Sequence, residues 1–106
     1  MVKKQIMLVC AAGMSTSLMV NKMQKSASER AIEADIFAIP VAEADDYLET
    51  HQVSVVLLGP QVRYLLKGFE EKLAPSGTPV DVIPMTDYGM MKGDKVLDLA
   101  NTLIQE

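Results

Sequence analysis

No second cysteine accompanies Cys10 in this 106-residue sequence, so an internal disulfide is excluded and a dithiol redox cycle lacks its resolving partner. No apolar run approaches the roughly 20 residues that a membrane-spanning helix requires, and the stretch after Met1-Val2-Lys3-Lys4 is too short for a secretory signal. A cytoplasmic protein is expected. Lysine and arginine form no cluster and the formal net charge is -4, which gives a phosphate backbone little to bind and argues against a nucleic-acid partner. The nucleotide-binding pattern G-x-x-x-x-G-K-[ST] is absent, so ATP is not expected as a phosphate donor. His51 is the single histidine; between Thr50 and Gln52, just ahead of a strand, it reads as a solvated loop residue with no catalytic role. The acidic positions Glu43, Asp45, Asp46 and Glu49 have no clustered histidine or cysteine to complete a ligand set. They read as a solvated helix face, and neither a metal nor another cofactor is expected.

What is present is a chain in which apolar residues make up 49% and are spread among charged ones, the composition of a globular protein. The length suits one domain, residues 1–106, and an initiator methionine fits a free subunit. The apolar run Gln5 to Val9 reads as a buried strand ending in the small-residue loop Cys10-Ala11-Ala12-Gly13. Leu18, Met19, Met23 and Ala27 then recur at helical spacing within a helix expected over Ser17 to about Arg30. A second strand is expected at Ala34 to Ile39 and a helix at Ala42 to Glu49. Val53 to Leu58 is the strongest strand signal, ended by Gly59-Pro60. Val62, Leu65, Leu66, Phe69 and Leu73 trace another helix, stopped by Pro75-Ser76-Gly77. A short strand at Val80 to Ile83 follows, and a last helix, with Asp94 as its N-cap, carries Val96, Leu97, Ala100, Leu103 and Ile104 on one side.

Alternating apolar strands and helices predict an α/β fold, a four-stranded parallel open sheet with helices on both faces; the order 2-1-3-4 is taken from the habit of such folds. Open sheets of this kind bind ligands at the carboxyl ends of the strands where the strand order reverses. That rule sets Cys10 and Gly59-Pro60-Gln61 on either side of one crevice.

A cysteine at the end of a strand, a few residues before a helix, has chemical consequences. Helix N-termini offer unpaired amide donors and a positive dipole end, which bind phosphate and favour the thiolate form of a nearby thiol. The small residues Ala11, Ala12 and Gly13 let the backbone wrap an anion, and the hydroxyls of Ser15, Thr16 and Ser17 can donate further bonds or cap the helix. The spacing from Cys10 to the helix is also similar to the loop of low-molecular-weight tyrosine phosphatases, yet Thr16 and Ser17 stand where that family needs arginine. An arginine fork grips phosphate and stabilises the transition state for hydrolysis. Amide and hydroxyl donors hold it more loosely, which suits a carrier.

Two segments make the resemblance specific: Cys10-Ala11-Ala12-Gly13-Met14-Ser15-Thr16-Ser17 after the first strand, and Leu57-Leu58-Gly59-Pro60-Gln61 after the third. In that order and spacing, over nearly the whole chain, the sequence resembles the IIB component of the lactose/cellobiose (chitobiose) class of the phosphoenolpyruvate-dependent sugar phosphotransferase system. The resemblance implies a fold of the low-molecular-weight tyrosine phosphatase type and a phosphotransferase activity. By position Cys10 is the residue that accepts phosphate from a phosphohistidine of the IIA partner and passes it to a sugar bound by the membrane IIC component. It also implies a phosphate-binding loop of Ala11, Ala12, Gly13, Met14, Ser15, Thr16 and Ser17, and a rim where partners dock at Gln61 and Tyr64, with Arg63 nearby. A β-linked disaccharide such as cellobiose, chitobiose or lactose is the substrate class.

Other readings remain in play. A cysteine hydrolase related to the phosphatases would need the missing arginine, and a binding module would need Cys10 to be a buried structural thiol. Asp87, in the region where the phosphatase fold carries its general-acid aspartate, can protonate a leaving group; before Gly89 it reads more simply as a turn residue, with Tyr88 beside it. Most of the eight methionines, Met7 and Met23 among them, read as adaptable core filler. Met14, Met90 and Met91 are candidates for an apolar docking surface.

Overall fold

Strand β1 (Lys4–Cys10) forms the middle of the fold, and its last five residues are all buried. The computed structural model describes residues 4–11 and 14–104, with the side chains of residues 14 and 15 outside that description. After β1 come α1 (Met14–Glu29), β2 (Ala34–Pro40), α2 (Val41–Thr50) and β3 (Val55–Leu58). A 3-10 segment (Pro60–Leu65) leads into α3 (Leu66–Leu73), then a 3-10 turn, β4 (Val80–Val82), α4 (Met85–Gly89) and α5 (Gly93–Ile104). The strands form a parallel sheet in the order β2-β1-β3-β4, the order expected from the habit of such folds. In register, Cys10 lies opposite Pro40, Leu8 opposite Leu57, and Leu57 opposite Asp81.

Alternate strand residues point to opposite faces, and this divides the core in two. Ile6, Leu8, Ile36, Val55 and Leu57 pack with Met19, Met23 and Ala27 of α1 and Val96, Leu97 and Ala100 of α5. Met7, Val9, Val56 and Leu58 pack with Ala44 of α2 and Phe69 and Leu73 of α3 on the other face. Met7 and Met23 are core filler, each fully covered.

Several boundaries differ from the sequence expectation, each for a local reason. Helix α1 begins at Met14, three residues before Ser17. Serine and threonine usually compete with helix by bonding their own backbone, but the Thr16 hydroxyl is taken up by Tyr88 instead. Leu18 is 56% exposed: Met19, Met23 and Ala27, four apart, define the buried line, and Leu18 falls beside it. The β3 ladder starts at Val55, because the backbone N–H of Gln5 is taken by the Ser54 side chain. The stripe from Val62 to Leu73 is split, since Val62 has non-helical φ/ψ and its N–H bonds Gly59 one 3-10 turn back. Asp94 lies inside α5 and is not its N-cap; the first helical bonds, from Lys95 and Val96, run to the Lys92 carbonyl. The short helix α4 has no counterpart in the sequence reading.

Helix α1 ends with Ala31 at φ 57, as Ile32 N–H bonds the Ala27 carbonyl and Ala31 N–H bonds the Ser28 carbonyl. This is the left-handed cap that glycine usually occupies. A left-handed L-residue is strained by roughly 1–2 kcal/mol, partly offset by the extra unfolded-state entropy of glycine. Ala31→Gly should therefore raise stability by about 0.5–1 kcal/mol, seen in urea unfolding as a higher midpoint at unchanged slope.

Candidate functional site

Chain connections place the site. From β1 the chain turns to α1 on one face of the sheet, and from β3 it turns through the 3-10 segment to α3 on the other. The carboxyl ends of these neighbouring strands therefore bound the crevice where the sheet order reverses. Cys10 is the last residue of β1. It is 2% exposed, and its thiol lies 3.8 Å from the Ile39 carbonyl oxygen, a long S–H···O contact with the neighbouring strand.

Ala11 is exposed, and α1 begins at Met14. Ala12 and Gly13 lie outside the described residues, as do the side chains of Met14 and Ser15. Thr16 and Ser17 fall in the first turns of α1, with Ser17 exposed. Thr16 is 1% exposed, and its hydroxyl oxygen is 2.9 Å from the Tyr88 hydroxyl oxygen. Between Cys10 and Ser17 the sequence has no charged side chain.

Gly59 closes the crevice from the β3 side by donating its N–H to the Val9 carbonyl at 2.9 Å. Its φ of -62 is ordinary for any residue; what the position demands is space. A methyl group there would sit 3.1 Å from Gln61 Oε1, 3.5 Å from the Val9 oxygen and 3.9 Å from the Tyr88 ring. Cys10, Gly59, Gln61, Thr16 and Tyr88 are thus gathered around the end of β1. Arg63 and Tyr64 project from the following turn, Tyr64 with 76% of its surface exposed.

Leu18, Tyr64, Met85 and Met90 are the large apolar side chains left exposed among the described residues; Tyr64 and Met85 follow shortly after the carboxyl ends of β3 and β4. Met91 does not join them; it packs against the α1/α5 core because the chain at φ 53 turns it inward. His51 lies at the opposite end of the sheet, where the chain returns from α2 to β3, while the acidic face of α2 starts beside the carboxyl end of β2 and runs away from it. His51 stacks on Tyr47 at 4.1 Å, and Asp45 pairs with Lys72 of α3. Asp87 sits half-buried in α4, its carbonyl accepting from Lys92 N–H.

Tyr88 is the site residue whose role sequence reasoning left open. Its only local signal is an aromatic residue five positions beyond the buried Ile83.

Comparison with known proteins bears on this geometry. Residues 5–99 match the family described as "PTS system, Lactose/Cellobiose specific IIB subunit". The chain is 49% identical, over 98% of its length and 99% of the relative's, to the PTS system galactose-specific EIIB component of Lactococcus lactis subsp. cremoris. It is 48% identical, over the same shares, to the PTS system cellobiose-specific EIIB component of Lactococcus lactis subsp. lactis. Its structure superposes with a TM-score of 0.78 on the solution structure of the cellobiose-specific phosphotransferase IIB component protein from Borrelia burgdorferi, at 40% identity and covering 98% of this chain and 94% of that one.

Proposed function

Because the chain belongs to the lactose/cellobiose-specific IIB family and so is a sugar-specific component of a phosphotransferase system, we propose that Cys10 carries a phosphoryl group from a IIA partner to a sugar. The observation that carries this reading is the place of Cys10 at the strand end nearest the N-terminus of α1, in the crevice where strand order reverses. In the first step the Cys10 thiolate attacks the phosphorus of a phosphohistidine on IIA; the S–P bond forms, the N–P bond breaks, and the imidazole leaves. In the second, a hydroxyl of the sugar held by the membrane IIC component attacks the same phosphorus. The O–P bond forms, the S–P bond breaks and the thiolate is regenerated, the hydroxyl proton passing to a base on the acceptor side.

Loop amides from Ala11 to Gly13, the first turn of α1 and the hydroxyls of Ser15, Thr16 and Ser17 hold the phosphoryl oxygens. With no arginine in the segment from Cys10 to Ser17 to clamp it, the group stays transferable. Attack requires the thiol to leave the Ile39 carbonyl, which rotation about its Cα–Cβ bond between staggered positions accomplishes. Partners meet the exposed rim of Gln61, Tyr64, Leu18, Met85 and Met90 in succession, so each complex is short-lived. Such a relay operates in the cytoplasm. Near-equal identity to a galactose-named and a cellobiose-named relative fits a sugar choice made in IIC; of the two names, cellobiose belongs to the expected class of β-linked disaccharides.

Intact-mass measurement after incubation with phosphoenolpyruvate, the general phosphotransferase proteins and a IIA of this class tests the reading. A single phosphate adduct on the wild type, absent from Cys10→Ala and removed by iodine, is the expected result. No adduct, with a Cys10 that also resists alkylation, would mark the buried thiol as structural and overturn the proposal.

A further inference from the structure

Among the described residues the sheet ends on β2 at one side and on β4 at the other, and hydrogen bonds to the inner strands show which peptide groups each edge turns outward. Lys4 N–H bonds the Glu33 carbonyl, with Lys4 opposite Ala34 in register. Along a parallel ladder the residues bonded to a neighbour alternate with residues turned away from it. Asp35, Phe37 and Ile39 therefore bond β1, and the peptide groups of Ala34, Ile36 and Ala38 face outward. On β4, the bonds from Val56 N–H to the Pro79 carbonyl and from Ile83 N–H to the Leu58 carbonyl turn Val80 and Val82 outward in the same way. Each edge has a side chain on one of these outward groups. Gln24 of α1 donates its Nε2 to the Ile36 carbonyl at 2.9 Å, and the Val82 N–H donates to Asp81 Oδ1 at 2.7 Å. A carboxamide and a carboxylate thus stand where the amide and carbonyl of a further strand would.

The two edges differ in need. β4 has three residues, with Pro79 before it and Pro84 shortly after. β2 has seven, mostly apolar and with no lysine, and a long apolar edge is a template for another strand. The strand that fits it is β2 of a second copy. Laid antiparallel about a two-fold axis at Ile36, Ala34 meets Ala38 of the copy and Asp35 meets its Phe37, so no like charges face each other. In that pairing the two Ile36 residues exchange N–H···O bonds, and the Ile36 carbonyl is the acceptor that Gln24 already fills.

We propose that Gln24 is a guard on the open edge of the sheet: by occupying the Ile36 carbonyl it keeps β2 from pairing with β2 of a second copy. The edge ends at Pro40, which lies opposite Cys10, so a strand added there would run up to the crevice. The guard therefore also keeps that approach to Cys10 clear, whatever Cys10 carries.

The test follows wild type, Gln24→Ala and Gln24→Met by sedimentation velocity from micromolar to millimolar protein, with amide hydrogen exchange read at the same concentrations. Wild type should stay monomeric. Gln24→Ala should associate at least about tenfold more tightly, the scale of one hydrogen bond, and its Ile36 and Ala38 amides should gain protection as the concentration rises. Gln24→Met keeps a long side chain of similar helix propensity but has no donor, so it should pair as Gln24→Ala does. A Gln24→Ala protein that stays monomeric at the highest concentration overturns the inference. So does a Gln24→Ala dimer whose Ile36 and Ala38 amides exchange as fast as in the monomer, because another surface then pairs. A wild type that dimerises through the same amides overturns it too, since the edge is then unguarded. Should Gln24→Ala not fold, a monomeric Gln24→Met decides against the proposal.

Discussion

Cys10→Ser will bring phosphoryl transfer to background, a loss on the order of 10⁶-fold, the scale on which removal of a covalent nucleophile acts. A serine hydroxyl is far less ionised than a thiol near neutral pH, so the attacking species is almost missing while the binding loop is intact. The fold should survive. The site is buried, oxygen is smaller than sulfur, and the Ile39 carbonyl that now lies 3.8 Å from Sγ accepts from either atom. A stability change of roughly 1 kcal/mol is expected. Transfer from phosphorylated IIA to sugar in membranes bearing IIC, measured beside urea unfolding of the same variant, separates the two effects. Transfer at the wild-type rate would sink the mechanism, and loss of transfer together with loss of fold would shift the explanation to packing.

Gly93→Ala will produce the largest loss of stability among conservative changes outside the sheet. Gly93 opens α5 where it crosses α1, and a methyl group there would lie 2.6 Å from the Lys22 carbonyl carbon and 2.8 Å from the Met23 backbone nitrogen. Those are backbone atoms of a neighbouring helix, so no side chain can rotate away; α5 must shift, and Val96, Leu97 and Ala100 behind it lose their seats against the sheet. Overpacking of this kind costs about 1–3 kcal/mol and occasionally more, against a gain of up to about 1 kcal/mol from the better helix propensity of alanine. A net loss of about 2 kcal/mol, or a melting temperature lower by roughly 10 °C, is expected for a chain of this size. Gly68→Ala in α3 is the control. A methyl group there meets nothing within 4 Å, so the propensity gain should appear alone as about 0.5–1 kcal/mol of added stability. Equal melting temperatures for the two variants would show that α5 slides without penalty.

Much of the architecture is legible because its strands and long helices are written in local patterns. Val55 to Leu58 is an unbroken apolar run and reads as a central strand; Val96, Leu97 and Ala100 fall on one side of a helix by spacing alone. The position of Cys10 at a strand end is legible for the same reason. What escapes is whatever depends on contacts between distant segments. Helix α4 spans only five residues, too few for a periodic pattern, and the Tyr88 it carries is tied to Thr16 by a contact no window along the chain can contain. Gly93 looks like a helix breaker in sequence and acts as a point of helix contact in space. Asp94 has the chemistry of a cap, yet the helix starts at Gly93, two residues before a cap at Asp94 would start it. Depth is hidden as well: nothing in the sequence tells that Cys10 would be 2% exposed.

That depth governs how the protein ages. Oxidation of a cysteine by peroxide, like cross-linking between two copies of a chain, begins with a sulfur that the other reactant can touch. Turned against Ile39 beneath its covering residues, the Cys10 sulfur is available for only the fraction of time it swings out. In the relay proposed above, the side-chain rotation that admits a phosphoryl donor is also the one that exposes the sulfur to damage. Chemical lifetime and readiness for transfer would then follow one torsional equilibrium.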